Sequence, residues 1–287
     1  MAEYKVIGID IGGSHITAGI VDLNTRKLVN NSLIRTHVNS KGSAKEILDA
    51  WVKVIEQLFS TLPHTEKKIG IAMPGPFEYE EGTCLIKGVD KFESLYNLNI
   101  KKLLAEKLQI AASDILMMND ASCFLKGEVF GGAAVNCDNV IGITLGTGLG
   151  SARFHSGQTF EGHLYSSPFK DTTAEDYLSS RWFLKCYNET TGRTVKNVKE
   201  LSKKIAEEPH IKMLFVEFGK NLGQVLSGYA TEYPCETIVV GGNITNAWDL
   251  FFSETKAILD KLPKKLTVKR AVLGEEGALI GAASLWR

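Results

Sequence analysis

Apolar residues along this chain come in short runs separated by glycine and proline, and the spacing inside the runs alternates between strand and helix periods. Residues 4–11 and 15–22 are apolar runs joined by Gly12-Gly13-Ser14, which reads as strand, tight turn, strand. Residues 27–38, with Leu28, Leu33 and Ile34 inward, continue as a third antiparallel strand. Ser43 then caps a helix whose apolar positions Ile47, Leu48, Trp51, Val54, Ile55, Leu58 and Phe59 recur at helical spacing, ending near Pro63. A buried strand at 68–73 enters the loop Pro74-Gly75-Pro76. A short strand at 83–87, a helix at 100–108 and a strand at 115–118 ending in Asn119-Asp120 follow. A helix over 121–130 closes on Gly131-Gly132.

The second half opens as the first does. Residues 139–145 and 151–155 flank Gly146-Thr147-Gly148, giving a second strand–glycine turn–strand unit. Helices are expected over 174–187, 198–206, 210–229 and 247–262, with strands at 236–240 and 266–271. A closing helix over 275–285 is rich in small residues, and Gly277, Ala278, Gly281 and Ala282 would permit close packing. The repeat predicts an α/β protein with duplicated mixed sheets and a cleft between the copies. The expected lobes are residues 1–118, joined by the last helix at about 275–287, and residues 119–274.

Composition narrows the function. The 33 basic and 33 acidic residues balance, so no electrostatic footprint for nucleic acid or an anionic membrane exists. No apolar run reaches membrane-spanning length, and the first strand begins by Tyr4, leaving no room for a signal peptide. Cys84, Cys123, Cys137, Cys186 and Cys235 are scattered, without a Cys-x-x-Cys pair, and read as buried thiols in a reducing compartment. A cytoplasmic protein is expected.

Glycine turns can bind phosphate through backbone N–H groups, or can simply be hairpin turns. A P-loop would need Gly-x-x-x-x-Gly-Lys-Ser/Thr opening a helix, and a dinucleotide fingerprint also needs a helix after its glycines. Here Ile16–Val21 continues as a strand, which excludes both. The pattern points to the fold of actin and the sugar kinases, in which two hairpin loops clasp a polyphosphate.

The candidate chemistry follows from position. Asp10, at the end of the first strand, can orient Mg²⁺ through water, or bond to the turn amides. Asn119-Asp120 lies where a strand meets a helix: Asp120 can accept a hydroxyl proton while Asn119 holds a neighbouring hydroxyl, or both can be helix caps. Gly75 can offer an amide to a substrate oxygen. Glu161-Gly162-His163 is a polar cluster, and His163 without a nearby cysteine is poor evidence for metal. Glu175 opens a helix, where a carboxylate is favoured by the dipole alone. Gly241-Gly242 is an adenine-side contact or a tight turn.

Together and in this order, Asp10-Ile11-Gly12-Gly13-Ser14, Gly75, Asn119-Asp120, Leu145-Gly146-Thr147-Gly148-Leu149-Gly150-Ser151 and Val239-Val240-Gly241-Gly242 resemble the ROK family of sugar kinases and sugar-responsive repressors. The resemblance covers essentially the whole chain. It implies the two-lobed, actin-like (ribonuclease H-like) ATPase fold, with ATP or polyphosphate as donor, Mg²⁺, and a hexose, most simply glucose at its 6-hydroxyl, as acceptor. It implies Asp120 as general base, with Asn119, Gly75, Glu161, His163 and Glu175 around the sugar. Gly12, Gly13, Ser14, Gly146, Thr147, Gly148, Gly241 and Gly242 would serve the donor.

This chain departs from the family pattern at Glu161, which is one place out, and in lacking the cysteine cluster that follows His163. No structural zinc is therefore expected. The run Thr173–Ser179 is similar to the zinc-free branch that includes polyphosphate glucokinases. Lys91-Phe92-Glu93-Ser94-Leu95-Tyr96 offers no counterpart to the family's sugar-contacting Asn. Family members are often dimers. Other sugars, such as mannose, fructose or an N-acetylhexosamine, and a non-catalytic sugar sensor remain alternatives. A repressor would need a helix-turn-helix ahead of Asp10, for which the sequence leaves no room.

Overall fold

A computed structural model describes residues 4–62 and 67–287. The chain divides into two compact units, residues up to 135 together with 275–287, and residues 136–274.

In the first unit, β1 (Lys5–Ile11) and β2 (His15–Asp22) form the expected antiparallel hairpin, with Asp10 opposite Thr17. The third strand is interrupted. β3 (Lys27–Leu28) and β4 (Ile34–His37) both pair with β2. Between them Asn31 has a φ of 61°, and the Ser32 hydroxyl accepts from Ile20 N–H and donates to Val29 O. That local turn displaces the ladder.

α1 (Ala44–Phe59) starts at Ser43 in a reciprocal capping box with Glu46. All seven apolar positions expected to face inward are buried, Trp51 completely. Each such side chain stabilises the fold by about 1.5–3 kcal/mol relative to exposure. The helix ends at Phe59, and the expected stop at Pro63 lies outside the described residues.

β5 (Ile69–Met73) runs parallel to β1. β6 (Phe77–Glu78) and β7 (Thr83–Cys84) pair as a small hairpin, too short to show a period in the sequence. α2 (Ile100–Leu108) follows as expected, capped by Asn99. β8 (Ile115–Asn119) pairs parallel with β5, and α3 (Asp120–Gly131) leaves its end. The sheet order is β3-β2-β1-β5-β8, with β4 also on β2.

The second unit repeats this order. β9 (Asn139–Leu145), β10 (Leu149–His155) and β11 (Gln158–Glu161) form an antiparallel meander. β12 (Pro168–Phe169) and β13 (Thr172–Thr173) make a small hairpin. The expected helix over 174–187 is two helices, α4 (Ala174–Tyr177) and α5 (Ser180–Thr191). Leu178 and Ser179 between them are fully buried, and Ser180 N–H donates to Gly146 O at 2.8 Å. Tying the chain to the glycine turn breaks the helix there.

α6 (Val198–Lys203), α7 (Ile211–Glu232), β14 (Thr237–Gly241), α8 (Trp248–Leu259) and β15 (Thr267–Arg270) complete this unit. The sheet order is β11-β10-β9-β14-β15. Its core holds the rings of Phe183, Phe215, Phe218 and Phe251 in mutual contact.

The division falls after 135, not after 118, so α3 belongs to the first unit. α9 (Gly277–Ala283) explains why. A side chain at Gly127 would overlap the Gly277 carbonyl, and one at Gly281 would overlap that of Cys123. The same helix lies on the sheet, because side chains at Gly8 and Gly70 would overlap the carbonyls of Leu279 and Ala282. The small residues thus permit the close approach expected of them.

No helix among the described residues is long and apolar enough to cross a membrane. Cys84, Cys123 and Cys235 are buried as expected, whereas Cys137 and Cys186 are only half-buried.

Candidate active site

The parallel strands of the first unit gather its candidate residues at one end. Asp10 lies beside Ala72 of β5, and Met73 beside Asn119 of β8. Asp10, the Pro74-Gly75-Pro76 loop and Asn119-Asp120 therefore share the carboxyl end of the sheet, where α/β proteins bind ligands. The turn Gly12-Gly13-Ser14 is exposed and closed by Gly12 N–H donating to His15 O at 2.9 Å.

Asn119 does cap α3. Its Oδ1 accepts from Ala121 and Ser122 N–H at 3.0 and 3.2 Å. Its Nδ2 donates to the Tyr79 hydroxyl at 3.2 Å, and that hydroxyl donates to Met73 O at 3.0 Å. Tyr79 also faces Gly75, where an added Cβ would lie 3.2 Å from its oxygen. Tyr79 thus ties the Gly75 loop to Asn119. It belongs to no motif, and only the fold brings it to the site.

Asp120 Oδ1 accepts from Ala121 N–H at 2.8 Å. Burial raises the pKa of Asp120 above the ordinary value, partly opposed by that N–H and by Lys91. Burial and then the charge of Asp120 push Asp10 up to about 7, with Arg35 opposing and Glu275 adding to the rise. Arg35 and Glu275 pair at 2.7 Å.

Two carboxylates with raised pKa values, one raised in part by the other's charge, suit a divalent cation. Among the described residues, however, no cluster of three or more His, Cys, Asp or Glu side chains could hold a metal by itself. The chemistry fits Mg²⁺, a hard ion that keeps waters and takes phosphate oxygens beside one or two carboxylates.

In the second unit, Gly241 lies beside Thr144, so the Gly146–Gly148 turn and Gly241-Gly242 share one sheet end. Gly242 has a φ of 87°, and a side chain there would overlap Leu145 backbone. It is thus a tight turn packed against the glycine turn. Glu175 lies under that same turn. Its Oε2 accepts from Leu149 N–H at 2.9 Å, and an added Cβ on Gly148 would lie 2.6 Å from it. Arg181, which no sequence pattern marked, donates to Glu175 Oε1 at 2.6 Å.

Glu161 and His163 flank Gly162, whose N–H donates to Ser151 O at 2.9 Å and whose carbonyl accepts from Tyr229 Oη at 2.9 Å. A side chain at Gly162 would meet Ser151 backbone at 2.8 Å. His163 is exposed, with a φ of 52°. The cluster sits beside the start of β10, at the sheet end that carries the turn.

The geometry of the glycine turns bears on one of the two readings of their sequence, the plain hairpin. Hairpin turns of the favoured types need positive φ. None of Gly12, Gly13, Gly146 and Gly148 has it. A Cβ at Gly12 or Gly13 would meet its nearest neighbour at an ordinary 3.6 Å, and one at Gly146 would meet nothing within 4 Å. Neither backbone conformation nor packing requires glycine at these three positions.

The model of the ROK family matches residues 6–287. An N-acetyl-D-glucosamine kinase of Histophilus somni is 26% identical, over 97% of this chain and 98% of its own. A ROK family glucokinase from Streptomyces griseus, solved with glucose and AMPPNP, matches with a TM-score of 0.79 at 21% identity, covering 98% of each chain. An inorganic polyphosphate/ATP-glucomannokinase from an Arthrobacter strain matches with a TM-score of 0.71 at 24% identity, covering 99% of each. The strand order, duplicated in two sheets, is accordingly that of the actin-like ATPase fold, and the chain belongs to the ROK family.

Proposed function

We propose that this chain transfers a phosphoryl group from ATP, or from polyphosphate, to the 6-hydroxyl of glucose or a related hexose. One observation carries the reading: Gly12, Gly13 and Gly146 are glycines that the fold itself does not require. Bare turns of this kind leave amides open to a phosphate that a Cβ would obstruct.

Asp120 is the general base. The hexose hydroxyl oxygen bonds to phosphorus, its proton passes to the Asp120 carboxylate, and the bond to the donor's bridging oxygen breaks with its electron pair leaving on the donor. Asn119, its carbonyl engaged in capping, offers its amide to the sugar, and Gly75 offers its backbone. Glu161 and His163 complete the sugar contacts. Glu175 contacts sugar while holding the Leu149 amide of the second turn. Gly12, Gly13, Ser14, Gly146, Thr147 and Gly148 take donor phosphates, and Gly241-Gly242 the adenosine side. Asp10 would hold Mg²⁺ through water, and the ion would supply neutralisation of the developing charge.

Sugar kinase activity is supported by the names of the relatives, which differ in sugar. The N-acetyl-D-glucosamine kinases among them favour an N-acetylhexosamine as the second reading of the acceptor. A coupled assay over glucose, mannose, fructose, N-acetylglucosamine and N-acetylmannosamine, each with ATP and with polyphosphate, tests this. Turnover fastest with glucose is the expected result. Phosphorylation of no sugar would overturn the kinase and favour a sugar sensor.

A further inference from the structure

Lys91 stands in a loop whose backbone is fixed by its neighbours. Phe92 is fully buried, packs edge-on to Trp51 at 5.8 Å, and donates its N–H to Ser40 O at 2.7 Å. The N–H groups of Val89 and Asp90 both donate to Glu93 Oε1, at 2.9 and 3.2 Å. Asp90 pairs with Lys41, and Ser94 Oγ donates to Gly42 O at 2.8 Å. A tethered loop therefore presents Lys91.

The side chain of Lys91 is half-buried and runs alongside the first glycine turn. Its Cδ lies 3.6 Å from where a Cβ on Gly13 would stand. Its charge opposes the rise in the pKa of Asp120. Among the described residues its ammonium forms no ion pair. A half-buried lysine without a carboxylate partner gains most from an anion that arrives from outside.

Resting on the kinase reading, we propose that Lys91 contacts the phosphoryl group in transfer, meeting its oxygens between the first glycine turn and the base at Asp120. As the bond to the donor's bridging oxygen loosens and the hexose oxygen approaches, charge spreads over the equatorial oxygens of that phosphoryl group. A fixed ammonium stabilises it more than the ground state. The bonds made and broken, and the proton's path to Asp120, are those of the transfer itself.

The test compares wild type with Lys91→Met, Lys91→Gln and Lys91→Arg. Lys91→Met and Lys91→Gln should lower kcat by about 100- to 1000-fold, the usual cost of removing one charge-stabilising donor. Hexose affinity should hold. Lys91→Arg keeps the charge with altered geometry and should recover kcat to within about tenfold of wild type.

The pH profile supplies a readout that a structural role would not move. The charge that acts on Asp120 is that of Lys91, and Asp120 in turn acts on Asp10 from β1 and on Cys123 from its own helix. Removing the lysine charge disfavours the Asp120 carboxylate, so the acid limb of kcat/KM should move to higher pH in Lys91→Met and stay in place in Lys91→Arg. A kcat in Lys91→Met within about threefold of wild type, less than one hydrogen bond's worth, would overturn the proposal.

Should wild type itself phosphorylate no hexose, the kinase reading fails separately. Calorimetric binding of tripolyphosphate then decides Lys91. Weaker binding in Lys91→Met retains it as a phosphate contact, and equal binding overturns it.

Discussion

The first and second units share a strand order, but their glycine turns rest on opposite electrostatics. Beside Gly12-Gly13-Ser14 lie two carboxylates, Asp10 and Asp120, each with a raised pKa, and Lys91 without an ion pair among the described residues. Beside Gly146-Thr147-Gly148 the charges are satisfied internally, because Glu175 accepts from the Leu149 amide and from Arg181. The first unit carries unbalanced charge at its turn, and the second carries a braced turn. Duplicated topology therefore need not mean duplicated chemistry: the proposed general base belongs with the unbalanced copy, where ionisation is costly enough to be useful.

The sharpest way to break that contrast is Asp120→Asn. It should lower kcat by roughly 100- to 10,000-fold while hexose binding, read by calorimetry, persists. Near-normal turnover would remove the chemistry from the first unit.

Asp10→Asn tests the electrostatic burden itself. Folding raises the pKa of Asp10 from 3.8 to about 7, so the folded protein keeps a proton that the unfolded chain releases. Stability from this group is full below the unfolded value and is lost as pH rises through about 7. Asp10→Asn, which cannot ionise, should therefore exceed wild type in stability at pH 8 by roughly 2–4 kcal/mol and lose that advantage near pH 4. Denaturant melts at both pH values measure it, and an offset independent of pH would count against the charged pair.

The smallest stability effect should come from Gly146→Ala, paired with Gly242→Ala as its contrast. Gly242→Ala forces a side chain into positive φ and onto Leu145 backbone, and should cost about 2–4 kcal/mol. Gly146→Ala should stay within about 0.5 kcal/mol of wild type in stability. It should nevertheless raise the donor KM by about tenfold, the worth of roughly one hydrogen bond to phosphate. A large stability loss in Gly146→Ala would return the turn to a purely structural role.

Much of the fold was legible because periodicity survives in long elements. α1 and α2 have the expected registers, and both glycine hairpins lie where the apolar runs place them. What pattern could not show was interruption by distant contacts. The break at Leu178-Ser179 exists because Ser180 bonds Gly146, more than thirty residues earlier in the chain. Ser32 interrupts the third strand through Ile20. Hairpins of two-residue strands carry too few positions to register a period.

At the candidate site, residues in motifs were legible and residues without motifs were not. Tyr79 joins Gly75 to Asn119 through one hydroxyl, Arg181 braces Glu175, and Lys91 reaches Gly13 from a loop almost eighty residues away. Each acts through proximity, which no local spacing encodes.

The sequence by itself determined the two glycine turns, the acidic strand end at Asp10, the Asn119-Asp120 pair and the duplicated plan. Those features are written in local residue order, where turn chemistry and apolar period act over a few positions. Only the tertiary structure decided that the fold itself does not require glycine at Gly12, Gly13 and Gly146. A bare turn in a sequence serves a hairpin or a phosphate equally well. The φ angle and the space beside each Cα show whether the turn itself demands glycine, and both are properties of the folded chain.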